Sequence, residues 1–161
     1  MTYQSVLKEV DSWVDGLGLG IDEGIKHAVV VFNLAGFPTY GSCEGHLDWG
    51  CHYPWIDFEC NRFEFARLNK YLFDFNQNRK AKAVRLWKSE PDELLVGTTT
   101  YNTDTYSIGN RSFRSKELKL SRDIRLCCYP TLGDFGVKEQ DALRYCKDEM
   151  NEFVGFVFRN Q

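Results

Sequence analysis

Proline is scarce in this chain, four residues in 161, and no apolar run approaches the roughly eighteen residues that a membrane-spanning helix needs. The low proline content argues against an extended or disordered chain, and the short apolar runs argue against a membrane-embedded one. Met1 to Val10 contains no basic run followed by an apolar stretch, so no secretory signal is expected. Repeats, low-complexity tracts and linkers are also missing. One domain is therefore expected, burying roughly two-thirds of the surface of the unfolded chain.

What is present fits a globular protein: 43% hydrophobic and 15% aromatic residues. Six cysteines could form three disulfides, but a chain this rich in apolar residues needs no covalent staples. Reduced thiols and a cytoplasmic location are expected, with Cys127, Cys128 and Cys146 in the core or in strands. The net charge of −3 hides a polarity along the chain. Residues 1–60 carry nine acids and two bases, whereas residues 61–125 carry fourteen bases and eight acids. A basic middle of this kind can attract phosphate or an acidic partner, or simply neutralise the acidic segments of the same fold.

Hydrophobic spacing predicts an amphipathic helix over Thr2 to Asp15, with Tyr3, Val6, Leu7, Val10, Trp13 and Val14 on one side. A second helix is predicted from Asp22 to Ala35, closed by Gly36 and Pro38, although Val29-Val30-Val31 could instead open a strand. Thr39 to Cys43 and Trp55 to Cys60 read as strands flanking a loop over Glu44 to Tyr53. Asn61 and Glu64 resemble an N-cap pair for a helix reaching about Asn76. Further strands are predicted over Ala83–Trp87, Leu94–Tyr101, Thr105–Ile108 and Leu118–Tyr129, with a turn at Asn102 to Asp104. A last helix is predicted from near Val137, burying Ala142, Cys146, Met150, Phe153 and Val157. Helices and strands mix without regular alternation. That predicts an α+β domain with a mostly antiparallel sheet and about four helices.

Chemistry concentrates between Thr39 and Cys60. This stretch holds three of the six cysteines, two of the three histidines, two of the four tryptophans and four acids. Cys43, His46, Cys51 and His52 could ligate zinc or iron, and Cys43 and His46 have the spacing by which one loop presents two ligands. Cys43 beside His46 could also be a nucleophile, but Glu44 and Asp48 would raise its pKa. A third reading is a pocket for a small planar or nucleotide-like ligand, with Trp49 and Trp55 stacking and Ser42, Glu44, His46, Asp48 and Asp57 reading polar edges. In that reading Arg111 or Arg114 neutralises a phosphate, and His46 is the first general acid or base to test. The basic stretches Arg79–Lys88 and Arg111–Lys119 offer contacts to nucleic acid or merely a solvated face.

The segment Gly20 to Glu59, with its S-C-E-G-H motif at Ser42–His46 and its following Y-P-W-I-D strand, resembles a set of uncharacterised bacterial and phage-type proteins. More loosely, a helix followed by Thr39, Ser42, Cys43 and Gly45 resembles the T-x-S-S-C-S-G-R stretch of the small wybutosine-synthesis tRNA methyltransferases. Glu44 stands in place of a serine there and His46 in place of an arginine. This second resemblance implies S-adenosylmethionine and RNA modification. Small-ligand binding is the leading expectation. Metal binding, methyl transfer and a protein-interaction or inhibitor role without a small-molecule site are the alternatives.

Overall fold

The computed structural model describes residues 1–77, 79, 82–88, 105–108, 111–114, 121–130 and 138–161; residues 62, 87–88, 105–108, 111–114 and 121–123 are described through their backbone only. The elements run α1 (Tyr3–Val10), α2 (Glu23–Leu34), β1 (Thr39–Cys43), β2 (Trp55–Asn61), α3 (Arg62–Asn76), β3 (Val84–Lys88), β4 (Thr105–Ile108), β5 (Arg111–Arg114), β6 (Ser121–Cys128) and α4 (Glu139–Arg159). Strands β1, β2, β6 and β3 form a four-stranded antiparallel sheet in that order, and β4 pairs with β5 as a separate ribbon. This is the α+β fold that the pattern predicts.

Alternation along β2 and β6 divides the sheet into two faces. Ile56 opposes Leu126, and Phe58 opposes Ile124. These residues, with Cys60, Cys128 and Val84, are buried in one cluster with Ile25, Phe32, Leu68, Phe153 and Val157 of the helices. Helices α2, α3 and α4 thus cover one face. Helix α1 lies outside them, packing Val6 and Val10 against Val29 and Val30 of α2.

That arrangement explains the β-branched run Val29-Val30-Val31, which is helical. Val31 faces the sheet side and Val29 and Val30 face α1, so α2 is buried on both sides. Tertiary packing here overrides the weaker helical propensity of valine. The helix stops where the sequence says it should. Gly36 adopts φ +77°, Phe37 N–H donates to Phe32 O at 2.8 Å, and Gly36 N–H donates to Asn33 O at 3.1 Å. Those two bonds make a Schellman cap. Arg67 of α3 satisfies carbonyls at the same end, donating to Ala35 O at 2.6 Å while its guanidinium lies over the Phe37 ring.

The start of α3 also follows its sequence signal. Asn61 Oδ1 accepts from the N–H groups of Phe63 and Glu64, and Glu64 Oε2 accepts from Asn61 N–H at 2.8 Å. Helix α1 departs from expectation: it ends at Val10 rather than reaching Asp15. The Asp15 carboxylate draws the backbone away, with Oδ1 accepting from Leu17 N–H and Leu19 N–H. Val14, expected on the buried side, is exposed. Strand β5 was not foreseen, Lys88 extends β3, and the expected Leu94–Tyr101 strand and its turn lie outside the described residues.

All six cysteines are free, and five are buried. Burial pushes the Cys60 thiol from 9.0 up to about 12, and the Cys128 thiol is raised by its hydrogen bond with Cys146 and then by burial. Both thiols are neutral in the folded and unfolded chain below about pH 8, so they contribute no pH dependence there. Above that pH the unfolded chain ionises first, and stability falls by up to about 1.4 kcal/mol per pH unit for each thiol. Urea midpoints measured from pH 7 to pH 10.5 should stay level near neutrality and then decline. Cys60→Ala should remove part of the decline.

Candidate functional site

The loop from Glu44 to Pro54 connects β1 to β2 and folds back onto the N-terminus of α2. Gly45 makes the first bend with φ +85°. A Cβ there would stand 2.8 Å from His52 O and 2.9 Å from the backbone of Tyr53, so only glycine lets the two arms of the loop close. His46 N–H donates to Cys51 O at 2.9 Å across the same closure. Gly50, at φ +71°, makes the return turn in open space.

Two carboxylates fasten the loop to α2 by exchanging places. Asp22 precedes the helix as its N-cap, yet its side chain makes no capping bond. Its Oδ2 accepts instead from Glu44 N–H and from His46 Nε2, each at 3.2 Å. Glu44 takes over the cap: its Oε2 accepts from Gly24 N–H at 2.7 Å, and its Oε1 accepts from Lys147 of α4 at 3.1 Å. A carboxylate at a helix N-terminus suits the helix dipole and satisfies a donor that the helix itself leaves unpaired. A Cβ at Gly24 would stand 2.2 Å from Glu44 Oε2, so a larger residue there would displace the capping carboxylate.

Cys43 ends β1 just before this fastening. One ligand atom each from Asp22, Cys43 and His46 fall within 4.8 Å of one another. The Cys43 thiol is pushed up, chiefly by burial, then by the charges of Asp22, Cys51 and Glu44; the Gly45 N–H, which donates to Sγ at 3.4 Å, opposes the shift. His46 is held from two sides. Asp22 accepts from its Nε2, and the ring of Trp49 stacks on it at 4.0 Å and 16°.

The other predicted residues are distributed around this group. Cys51 and His52 lie on the return arm of the loop, outside the three-residue group. Ser42 pairs with Ile56, on the strand face opposite to Cys43. Asp48 and Trp49 are exposed at the loop tip. Trp55 and Asp57 belong to a different arrangement on the outer sheet face. Asp57 is buried opposite Arg125, whose Nε and second guanidinium nitrogen donate to its two oxygens at 2.6 and 2.7 Å. The same guanidinium lies 4.1 Å from the centre of the Trp55 ring, and burial outweighs Arg125 in raising the Asp57 carboxyl. Arg79 is likewise engaged within the fold, pairing with Glu149 and Glu152 of α4. Arg111 and Arg114 sit at the ends of β5 opposite Ile108 and Thr105; their side chains, and residues 115–119, lie outside the described part.

Sequence reasoning missed Asp22 and Arg125 as partners. Asp22 entered the sequence reading only as the first residue of the second predicted helix, twenty-one residues before Cys43. Arg125 carried no signal beyond its place in a strand.

The geometry of the two loop glycines separates strain from steric conflict. Gly50→Ala should cost about 1–2 kcal/mol, the cost of a left-handed residue with a Cβ. Gly45→Ala should cost clearly more, because backbone atoms of residues 52 and 53 must also move. Urea unfolding of the two variants checks the order, and equal losses would mean that the loop does not close as described.

No family model, curated protein or solved structure matches the chain. What it does must be read from its own geometry.

Proposed function

We propose that the protein binds a divalent transition-metal ion of the zinc class through Cys43, His46 and Asp22. The observation that carries this reading is the meeting of thiol, imidazole and carboxylate donors within 4.8 Å, on three positions separated in sequence by up to twenty-four residues. Thiolate and imidazole favour zinc over magnesium or calcium, and a mixed sulfur, nitrogen and oxygen set suits a tetrahedral ion. Three protein donors leave one tetrahedral position for water or for a substrate group. The Trp49 ring against His46 supports one wall of the site.

Other chemistries are less well supported. For a pocket that reads a planar ligand, Glu44 and Asp57 would need free carboxylate edges, yet one caps α2 and the other binds Arg125. For a cysteine nucleophile, the thiolate should be stabilised; burial and neighbouring acids do the opposite. A bound cation would reverse that sign, since it offsets the Asp22 charge and favours the Cys43 thiolate.

Isothermal titration with zinc should give one site per chain. Cys43→Ser, His46→Ala or Asp22→Asn should each weaken it by at least about tenfold, as loss of one of three ligands requires. Cys51→Ser and His52→Ala should weaken it little. The pH dependence has a definite direction: the raised Cys43 thiol must lose its proton on binding, so affinity should rise by up to about tenfold per pH unit above neutrality. Zinc bound with equal affinity by the Cys43→Ser variant, or bound with no pH dependence, would exclude this donor set.

A further inference from the structure

Residues 11–20 are built to a specification that neither the fold nor the metal site requires. The turn is closed by its own bonds. Asp15 N–H donates to Leu19 O at 2.8 Å, Gly18 N–H donates to Asp15 O at 3.1 Å, and Val14 and Gly20 form a bridge. The Asp15 carboxylate ties the turn together, with Oδ1 accepting from Leu17 and Leu19 N–H at 2.8 and 2.9 Å. Gly18 supplies the left-handed residue at φ +78°, with no atom near enough to obstruct it. Trp13 anchors the base of the turn, packing against the cluster of Val6, Val10, Val29 and Val30.

This scaffold presents its apolar side chains outward. Leu17 is 84% exposed, Val14 62% and Leu19 61%. An ordered turn that spends its polar groups internally and offers three aliphatic side chains to solvent marks an interaction site more strongly than single exposed leucines do. Its charge selects the kind of partner. Residues 9–23 contain Glu9, Asp11, Asp15, Asp22 and Glu23 and no base. Lys26 reaches back to Asp11 at 3.2 Å and to Glu23, which leaves the segment acidic in sum. Anionic lipid surfaces and nucleic acid are both repelled by that charge.

We infer that the turn 14–20 is a preorganised docking tip, and that it enters an apolar cleft rimmed by lysine or arginine on a partner protein. The three aliphatic side chains fill the cleft, and the exposed carboxylates of Glu9, Asp11 and Glu23 beside the turn meet the basic rim and set the orientation. Because Asp15 holds the turn in shape before contact, little ordering entropy is lost on docking.

The test is a selection of short displayed peptides on the immobilised full chain, counter-selected on a Leu17→Asp/Leu19→Asp variant. Both substitutions are at exposed positions, so the variant should keep the wild-type melting temperature. Selected peptides should combine apolar residues with lysine or arginine. Their synthetic versions should bind wild type at least about tenfold more tightly than the variant, the loss expected for apolar anchors. Binding should weaken with added salt. Asp15→Ala, which keeps all three aliphatic side chains but opens the turn, should also lose binding. Overturning results are no enrichment, enriched peptides without basic residues, or equal binding to both proteins. Salt-insensitive binding or full retention in Asp15→Ala would count the same way. So would wild-type self-association in sedimentation velocity that the double substitution abolishes, or wild-type binding to phosphatidylserine vesicles.

Discussion

The exchange of carboxylates between Asp22 and Glu44 is the constraint on which the site depends. Asp22 leaves its own helix to hold the backbone and imidazole of the loop, and Glu44 leaves the loop to cap that helix. Each bond taken alone is worth about 0.5–2 kcal/mol, the range of a helix cap. Their value lies in being reciprocal: neither end can move without releasing the other. Lys147 extends the fastening to α4, so three segments distant in sequence meet around Glu44. Cys43 and His46 flank that residue on either side, and their separation from Asp22 is set by it.

The helix being fastened is itself packed on two sides. Helix α2 lies between α1 and the layer of β2, α3 and α4, with Val29 and Val30 packed one way and Val31 and Phe32 the other. Its C-terminal end is closed by Gly36 and by Arg67. A rigid helix with one end capped by the loop gives Asp22 a fixed position. Strand β1, paired antiparallel with β2, gives Cys43 another. The loop between them has only His46 left to place, and Asp22 and Trp49 do so from two sides. The proposed metal site, held this way from three sides, would need little reorganisation on binding.

Local chemistry was legible in the sequence, and long-range chemistry was not. Gly36 and the Asn61–Glu64 pair act within four or five residues, so their caps could be read directly and stand in the structure. Spacing also placed the buried stripe of α4, Ala142, Cys146, Met150, Phe153 and Val157. The end of α1 was misjudged because Asp15 competes for its own neighbouring N–H groups, and hydrophobic periodicity does not register such competition. The density of reactive groups in Thr39–Cys60 drew attention to the segment that carries Cys43 and His46, two members of the three-residue group. It could not say that Trp55 and Asp57 would turn to Arg125, because that pairing depends on the register of β2 against β6. Nor could it supply Asp22, which joins the group through a fold-back of twenty residues.

The central claim is that Cys43, His46 and Asp22 act together as ligands to one ion. The electronic spectrum of the cobalt(II)-substituted protein tests it most directly, because a thiolate ligand and tetrahedral coordination each leave their own bands. One equivalent of cobalt should produce both a thiolate-to-metal charge-transfer band and intense tetrahedral ligand-field bands. Cys43→Ser should abolish the first, and zinc should displace both. A weak octahedral spectrum with no charge-transfer band, unchanged in Cys43→Ser, would contradict the account.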